Sequence, residues 1–387
     1  MTADNITQSD SGEVTVTGVA LQGLDGPRTL ILKDGRVSEI RPGTEPVEWF
    51  CLPPLVDKHV HANRAWSISE VRPRSFEHSI ELAFELFSEF TAEDYYRQSS
   101  LFLEQALARG TTGIRTHADV DSLTGMQALQ GTLEARERFK ERMDIEIVAF
   151  ASSRLDPAAA EGLSMLKEAI ALGADLLGAV PALYPEPGRS IDALLELAIS
   201  NHLPVDVHLD EHLDPTNSWS EYLADATVAA GYEGRVTLSH GCALSVLAGK
   251  DRTRIIDKLL QADIEVIALP FTNLYLQDRE AVEPRRRGLT CIRELLAAGV
   301  EVRLASDNVR DAFYPYGNAD MLDTAYLGML AGQMDDSDAL IRAICDGRLR
   351  PEKGEAADLV LVRGRNFHEV LSNRPHERIV IRHSTVI

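Results

Sequence analysis

The sequence predicts an α/β protein: a (β/α)8 barrel with a small accessory β domain formed by the N- and C-terminal segments. Three observations predict it. Eight short apolar runs recur through the middle of the chain, and each is followed by a longer stretch with helical spacing. Strands that alternate with helices make a parallel sheet, and eight such units close into a barrel of roughly 250 residues. Both chain ends break this rhythm and read as short β runs with turn residues between them. A doubly wound open sheet is the alternative.

Residues 13–50 are β runs broken by Asp-Gly and Pro-Gly pairs, which mark turns. The barrel runs lie near 52–58, 111–117, 144–150, 174–180, 203–208, 235–240, 264–269 and 301–306. Between them, stretches such as EDYYRQSSLFLEQALARG and IRELLAAGV carry apolar residues at helical spacing. Gly110, Gly173 and Gly299 close three of these stretches, as suits a helix C-terminus. After the last helix the chain returns to β runs. The expected division is therefore 1–50 with 355–387 as the accessory sheet, and 51–354 as the barrel.

Composition excludes several classes of function. The 387 residues are 44% hydrophobic and 26% charged, which suits an ordinary globular protein rather than a disordered one. The net charge of −21 argues against nucleic acid and against adsorption to anionic membranes. The N-terminus has neither a basic region nor an apolar one, and no stretch reaches the ~20 apolar residues of a membrane helix. Cys51, Cys242, Cys291 and Cys345 are scattered, so a disulfide framework or a cysteine zinc site is not expected. The reading is a soluble cytoplasmic protein, compatible with a homo-oligomer although no interface signal is visible.

Barrel enzymes carry their chemistry at the C-terminal ends of strands. The first run ends in Asp57-Lys58-His59-Val60-His61. Histidines two apart on a strand point to the same face and can form a metal-ligand pair. The fifth run ends in His208-Leu209-Asp210-Glu211, the sixth in Ser239-His240 and the eighth in Ser306-Asp307-Asn308. A buried strand ending in an ionisable group needs a ligand or hydrogen bond there, and four such ends together point to a metal site. Glu211 is open to a second reading, a solvated acid in an acidic loop. His117 reads as pocket lining or as structural support. His78, His202 and His212 read as solvated, and His368, His376 and His383 as lying outside the chemistry.

At these residues the chain resembles the amidohydrolase superfamily, in its cytosine deaminase branch, and N-substituted s-triazine aminohydrolases about equally. Pro54-Leu55-Val56-Asp57 with His59 and His61, Arg115-Thr116-His117, Asp206-Val207-His208 with Glu211, Gln277 with Arg279, Pro284, Arg286-Arg287-Gly288 and Tyr314-Pro315 carry the likeness over roughly residues 50–360. The resemblance implies one divalent metal ion, Zn2+ or Fe2+, held by His59, His61, His208 and Asp307. Many superfamily members bridge two metals with a carboxylated lysine, but the fourth run, ADLLGAVPALYP, has no lysine. The implied catalytic residues are Glu211, a proton shuttle; His240, which stabilises the attacked centre; and Asp307, which takes the proton of the attacking water.

The substrate-reading positions depart from that branch. Ser152 stands where cytosine deaminases carry a glutamine, Asn308 where they carry a second aspartate, and Phe313 where they carry a tryptophan. Serine cannot supply a paired donor and acceptor, so cytosine is not the expected optimum. The expected activity is hydrolysis of a C–N bond of another small nitrogen heterocycle or cyclic amidine. Ring opening of a cyclic amide is the alternative, and a non-enzymatic metal-binding barrel is the third reading. Arg64 and Arg154, just after the first and third runs, could meet an anionic substrate group, but a surface salt bridge is the preferred reading of each.

Overall fold

The computed structural model describes residues 5–10, 12–68, 75–279, 281–282 and 285–387. Pro284 lies outside these. Eight parallel strands follow one another in chain order: Leu55–Val60, Thr111–Val120, Asp144–Ala151, Leu176–Ala179, Val205–Leu209, Val236–His240, Glu265–Ala268 and Val302–Leu304. They correspond to the eight apolar runs. Strands buried on both faces carry continuous apolar sequence, and the fifth and sixth are buried at every residue. The seam between the last and first strands is bridged at Val60 and Asp307: Asp307 N donates to His59 O at 2.9 Å, and His61 N donates to Asp307 O at 3.1 Å. Asp57 reinforces the seam by accepting from both the backbone N and the hydroxyl of Ser306.

A second, largely antiparallel sheet joins the two chain ends. Val14–Leu21, Leu24–Lys33 and Arg36–Pro42 lie beside Trp49–Leu52, which pairs in turn with Leu359–Arg363 and then Arg378–Arg382. Val16, Leu30, Trp49, Leu359 and Leu361 fill its core. The residues 49–52 thus lie in this sheet, and the first barrel strand starts at Leu55 rather than Leu52. Asp34-Gly35 forms the tight turn the sequence suggests, with φ of 51° and 70°. Asp25-Gly26 does not: it lies within the strand Leu24–Lys33, opposite an irregular register, and the chain turns at Gln22-Gly23. Among the described residues, no helix is long and apolar enough to cross a membrane.

Two features position the site. Helix Ala92–Ala108 packs closely on helix Gln127–Phe139, because a Cβ at Gly131 would stand 2.3 Å from Ala92 O. This contact sets Tyr95 against the C-terminal face of the barrel. Between the first strand and that helix pair, an additional amphipathic helix, Phe76–Phe87, sends Phe76, Ile80, Ala83, Phe84 and Phe87 over the same face.

Candidate active site

The four residues singled out as metal ligands converge. His59 Nε2 lies 3.2 Å from His208 Nε2, and His61 Nε2 lies 3.1 Å from the same atom. Asp307 Oδ1 lies 3.7 Å from His59 Nε2 and 3.6 Å from His61 Nε2. All four residues are buried. Two nitrogens bound to one zinc at ~2.05 Å in tetrahedral arrangement stand about 3.3 Å apart, so the observed spacing suits a shared ion. Burial first, then neighbouring imidazoles and a guanidinium (Arg115 for His59, Arg64 for His61 and His208), hold all three histidines well below the usual imidazole range. Their lone pairs are therefore free for a cation. Burial first, then Asp311, push Asp307 up to about 8, and its Oδ2 has no partner. Among three nitrogens and one carboxylate, a divalent ion would offset that burial and restore the carboxylate. The donor set fits a divalent metal ion.

A buried chain of polar groups orients His59. Its Nδ1 lies 2.8 Å from Ser239 Oγ, and that hydroxyl donates to Asp206 Oδ1 at 2.7 Å. Arg115 completes the chain, 3.3 Å from Asp206 Oδ2 and 3.0 Å from Glu146 Oε2. With Nδ1–H committed to Ser239, the lone pair of His59 sits on Nε2 and faces the other ligands. His117 provides support rather than pocket lining: it is buried, its ring centroid is 4.0 Å from that of His59, and its Nε2 is 3.6 Å from Asp206 Oδ1.

Glu211 and His240, the other residues expected to be catalytic, lie beside this group. Glu211 Oε1 is 3.3 Å from His240 Nδ1. Asp210 positions Glu211: its carboxylate accepts from Trp219 N, Ser220 N and the hydroxyls of Ser218 and Ser220, and Gln277 Nε2 donates to Glu211 O at 3.0 Å. Burial first, then Asp307, raise Glu211 well above the usual carboxyl range. The second reading of Glu211, a solvated acid, is not met, since its side chain is 10% exposed. Asn273 Nδ2 lies 2.9 Å from His240 Nδ1. Donation from Asn273 puts the ring proton of His240 on Nε2, which is buried without a partner.

His61, His208, Glu211, His240 and Asp307 open onto one cleft. Phe84, Phe150 and Phe313 give it flat apolar walls. Ser152 and Asn308 also line it. Ser152 Oγ is 3.4 Å from Asp121 Oδ2, and Asn308 is held by Asp311 at 2.6 Å and Thr272 at 3.2 Å. Arg64 is buried in the wall, 3.5 Å from Asp119 and 5.0 Å from the ring centre of Phe313, so the surface salt bridge expected for it is absent. Arg154 is exposed and stacks on Phe84 at 3.8 Å. His212 is half-buried, with Nε2 enclosed, rather than solvated. The sequence reading gave no role to Asp119, Asp121 and Tyr95, which line the cleft, nor to Ser239, Asp206 and Asn273. The run His117-Ala118-Asp119-Val120-Asp121 at a strand end was the available signal for the two acids.

The amidohydrolase family model matches residues 74–380. The chain belongs to the amidohydrolase family. Its curated relatives include a pterin deaminase of Rhizobium rhizogenes, 30% identical, with all of this chain and 95% of the relative covered. Among solved structures it is similar to 5-methylcytosine deaminase from Klebsiella pneumoniae, at a TM-score of 0.88 and 26% identity over 96% of this chain and 97% of that one. The N-isopropylammelide isopropylaminohydrolase of Burkholderia multivorans matches at a TM-score of 0.82 and 26% identity, with the same coverage. This amidohydrolase thus combines the barrel, the accessory sheet and the cleft with relatives named for hydrolysis of C–N bonds on heterocycles.

Proposed function

We propose that this amidohydrolase is an aminohydrolase that removes an amine from a ring carbon of a small nitrogen heterocycle. It is a hydrolase of C–N bonds other than peptide bonds. One observation carries the reading: Glu211, its side chain 10% exposed, faces the same cleft as the ligand group and touches His240 at 3.3 Å. The relatives named for pterin, 5-methylcytosine and N-isopropylammelide support the substrate class. Ser152, with one short hydroxyl, favours a ring other than cytosine, and Asn308 and Phe313 complete the wall it meets.

His59, His61, His208 and Asp307 would hold the Zn2+ or Fe2+ ion. Such an ion, when bound, lowers the pKa of a water toward ~7 and so supplies a nucleophile at neutral pH. Asp307 takes a proton from the attacking water at its free Oδ2. Glu211 gives its proton to a ring nitrogen, making the adjacent carbon electrophilic, then takes the remaining proton of the added water and passes it to the leaving amine, and the proton held by Asp307 restores Glu211. His240, held by Asn273, presents Nε2–H to the oxygen on the attacked carbon. Water adds and the amine leaves, so the ring carbon ends as an oxo group.

The test loads the protein with zinc or ferrous iron and measures amine release from pyrimidines, aminotriazines, pterins and cyclic guanidines, with mass spectrometry of the products. We expect release from at least one class, abolished by Glu211→Gln. A product one water heavier than its substrate would mean ring opening instead. Silence on all four classes with metal bound would overturn the reading.

A further inference from the structure

We infer that Arg64 is a specificity-determining residue, whose guanidinium binds an electron-rich oxygen in the plane of the substrate ring. This rests on the heterocycle reading above. Arg64 follows the ligand His61 in a short helical turn, Ala62–Arg64, and is only 7% exposed, yet it lines the cleft. A guanidinium has five N–H donors, and buried donors in proteins are almost always hydrogen-bonded. None of Arg64's donors makes a hydrogen bond among the described residues, and its Nε is enclosed without any partner. Its one ion pair, to Asp119 Oδ1, is loose at 3.5 Å, and Asp119 Oδ2 is already taken by Asn63 Nδ2 at 2.7 Å. The remaining contact is the face of Phe313.

The cleft therefore holds a planar donor fork beside an aromatic wall, with donors left over. Such a fork matches two lone pairs of an oxygen that carries negative charge, whether a ring oxo group or a carboxylate substituent. A neutral amine or a bare ring edge offers no such partner. Among the described residues that line the cleft, Asp119, Asp121, Glu211 and Asp307 are acids and Arg64 is the guanidinium that makes room for this oxygen. A flat ring lying along Phe313 brings its in-plane substituent to the guanidinium edge. The inferred substrate is an aminated heterocycle that also bears an oxo or carboxylate group.

The test reads binding without turnover. Zinc-loaded Glu211→Gln protein is titrated by calorimetry with isocytosine, with 2-aminopyrimidine, which lacks the oxo group, and with 2-aminopyrimidine-4-carboxylate. The same titrations are run with Arg64→Met and Arg64→Lys added, and thermal midpoint and zinc content are recorded for each protein. A charge-assisted hydrogen bond is worth roughly a 10- to 100-fold change in affinity. We expect at least one oxygen-bearing ring to bind about 10-fold or more tighter than 2-aminopyrimidine. Arg64→Met should erase that ratio, and Arg64→Lys should keep part of it. The stronger of the two oxygen-bearing rings identifies the oxygen as oxo or carboxylate. Equal binding of all three rings, or a preference that survives Arg64→Met, overturns the role of Arg64 and leaves the heterocycle site standing. Binding of none of them overturns both.

Discussion

Removing one hydroxyl tests how the metal ligands are held. Ser239→Ala deletes the group that joins His59 Nδ1 at 2.8 Å to Asp206 Oδ1 at 2.7 Å. The two ends cannot close the gap, because Nδ1 and Oδ1 stand 3.9 Å apart, beyond hydrogen-bonding distance. Asp206 keeps Arg115 at 3.3 Å, so its charge stays paired. His59 Nδ1–H is left buried without an acceptor, which costs about 1–3 kcal/mol. The cost disappears if the imidazole takes the other tautomer, but then Nε2 carries the proton and is lost as a ligand. Either way metal binding weakens, by about 10- to 100-fold, in line with the usual effect of losing an orienting partner. The assay is competition for Zn2+ against a chromophoric chelator, with Ser239→Thr as the control that keeps the hydroxyl. A Ser239→Ala protein with zinc affinity within threefold of the parent would refute the account of how His59 is oriented.

Three other outcomes follow from the same geometry. Asp307 is pushed up to about 8 and Asp57 to about 6, both by burial first, from an ordinary value of 3.8. These two carboxyls favour the folded metal-free protein at low pH and lose that contribution as pH rises from ~4 to ~8, while the depressed His59, His61 and His208 act in the opposite sense below their ordinary value of 6.5. Metal binding must displace the proton of Asp307, so thermal scans should show a larger lift from Zn2+ at pH 8 than at pH 5. Asn273→Asp should reverse the tautomer of His240, since a carboxylate accepts from Nδ1–H; kcat should fall about 10-fold or more, KM should change little, and nitrogen NMR of the zinc protein should show the proton on Nδ1. Gly131→Leu should push helix Ala92–Ala108 away from its neighbour, lowering the thermal midpoint and raising KM through displaced Tyr95, because the added Cβ alone meets backbone at 2.3 Å.

The barrel was legible because its strands are buried on both faces and so write themselves as unbroken apolar runs. The ligands were legible for a related reason: an apolar run that stops at histidine or aspartate is conspicuous. The groups that tune the site were not. Ser239 serves His59 across 180 positions of sequence, and Asn273 serves His240 from a different strand-end helix. Neither residue type stands out in its own segment. Arg64 looked like an ordinary surface cation, because nothing in Ala62-Asn63-Arg64 shows that helix Phe76–Phe87 and Phe313 enclose it. Asp25-Gly26 misled in the opposite direction, since a turn-forming pair can equally lie at a register irregularity within a strand.

The site and the closure of the barrel are one structure. The backbone groups of His59, His61 and Asp307 form the seam bonds between the first and last strands, so the ligand side chains leave from the stitches that close the barrel. The chain bends sharply at these ends: Asp210, His240 and Asp307 have φ of 56°, 76° and 61°, a region that residues other than glycine seldom occupy. Such strain persists only where surrounding contacts hold it, and each bend has its holder. Asp210 is fixed by the Ser218–Ser220 loop, the carbonyl of His240 by the hydroxyl of Thr290, and Asp307 by His59 and His61. The bends occur at the strand ends that carry Glu211, His240 and Asp307 into the cleft. An ion shared by His59, His61, His208 and Asp307 would add side-chain bonds across the same seam that the backbone already spans. Metal binding should therefore stabilise the junction of the first and last strands more than the opposite side of the barrel, and slower amide exchange at Val60 and Asp307 than at Val148 and Leu177 on adding Zn2+ would show it.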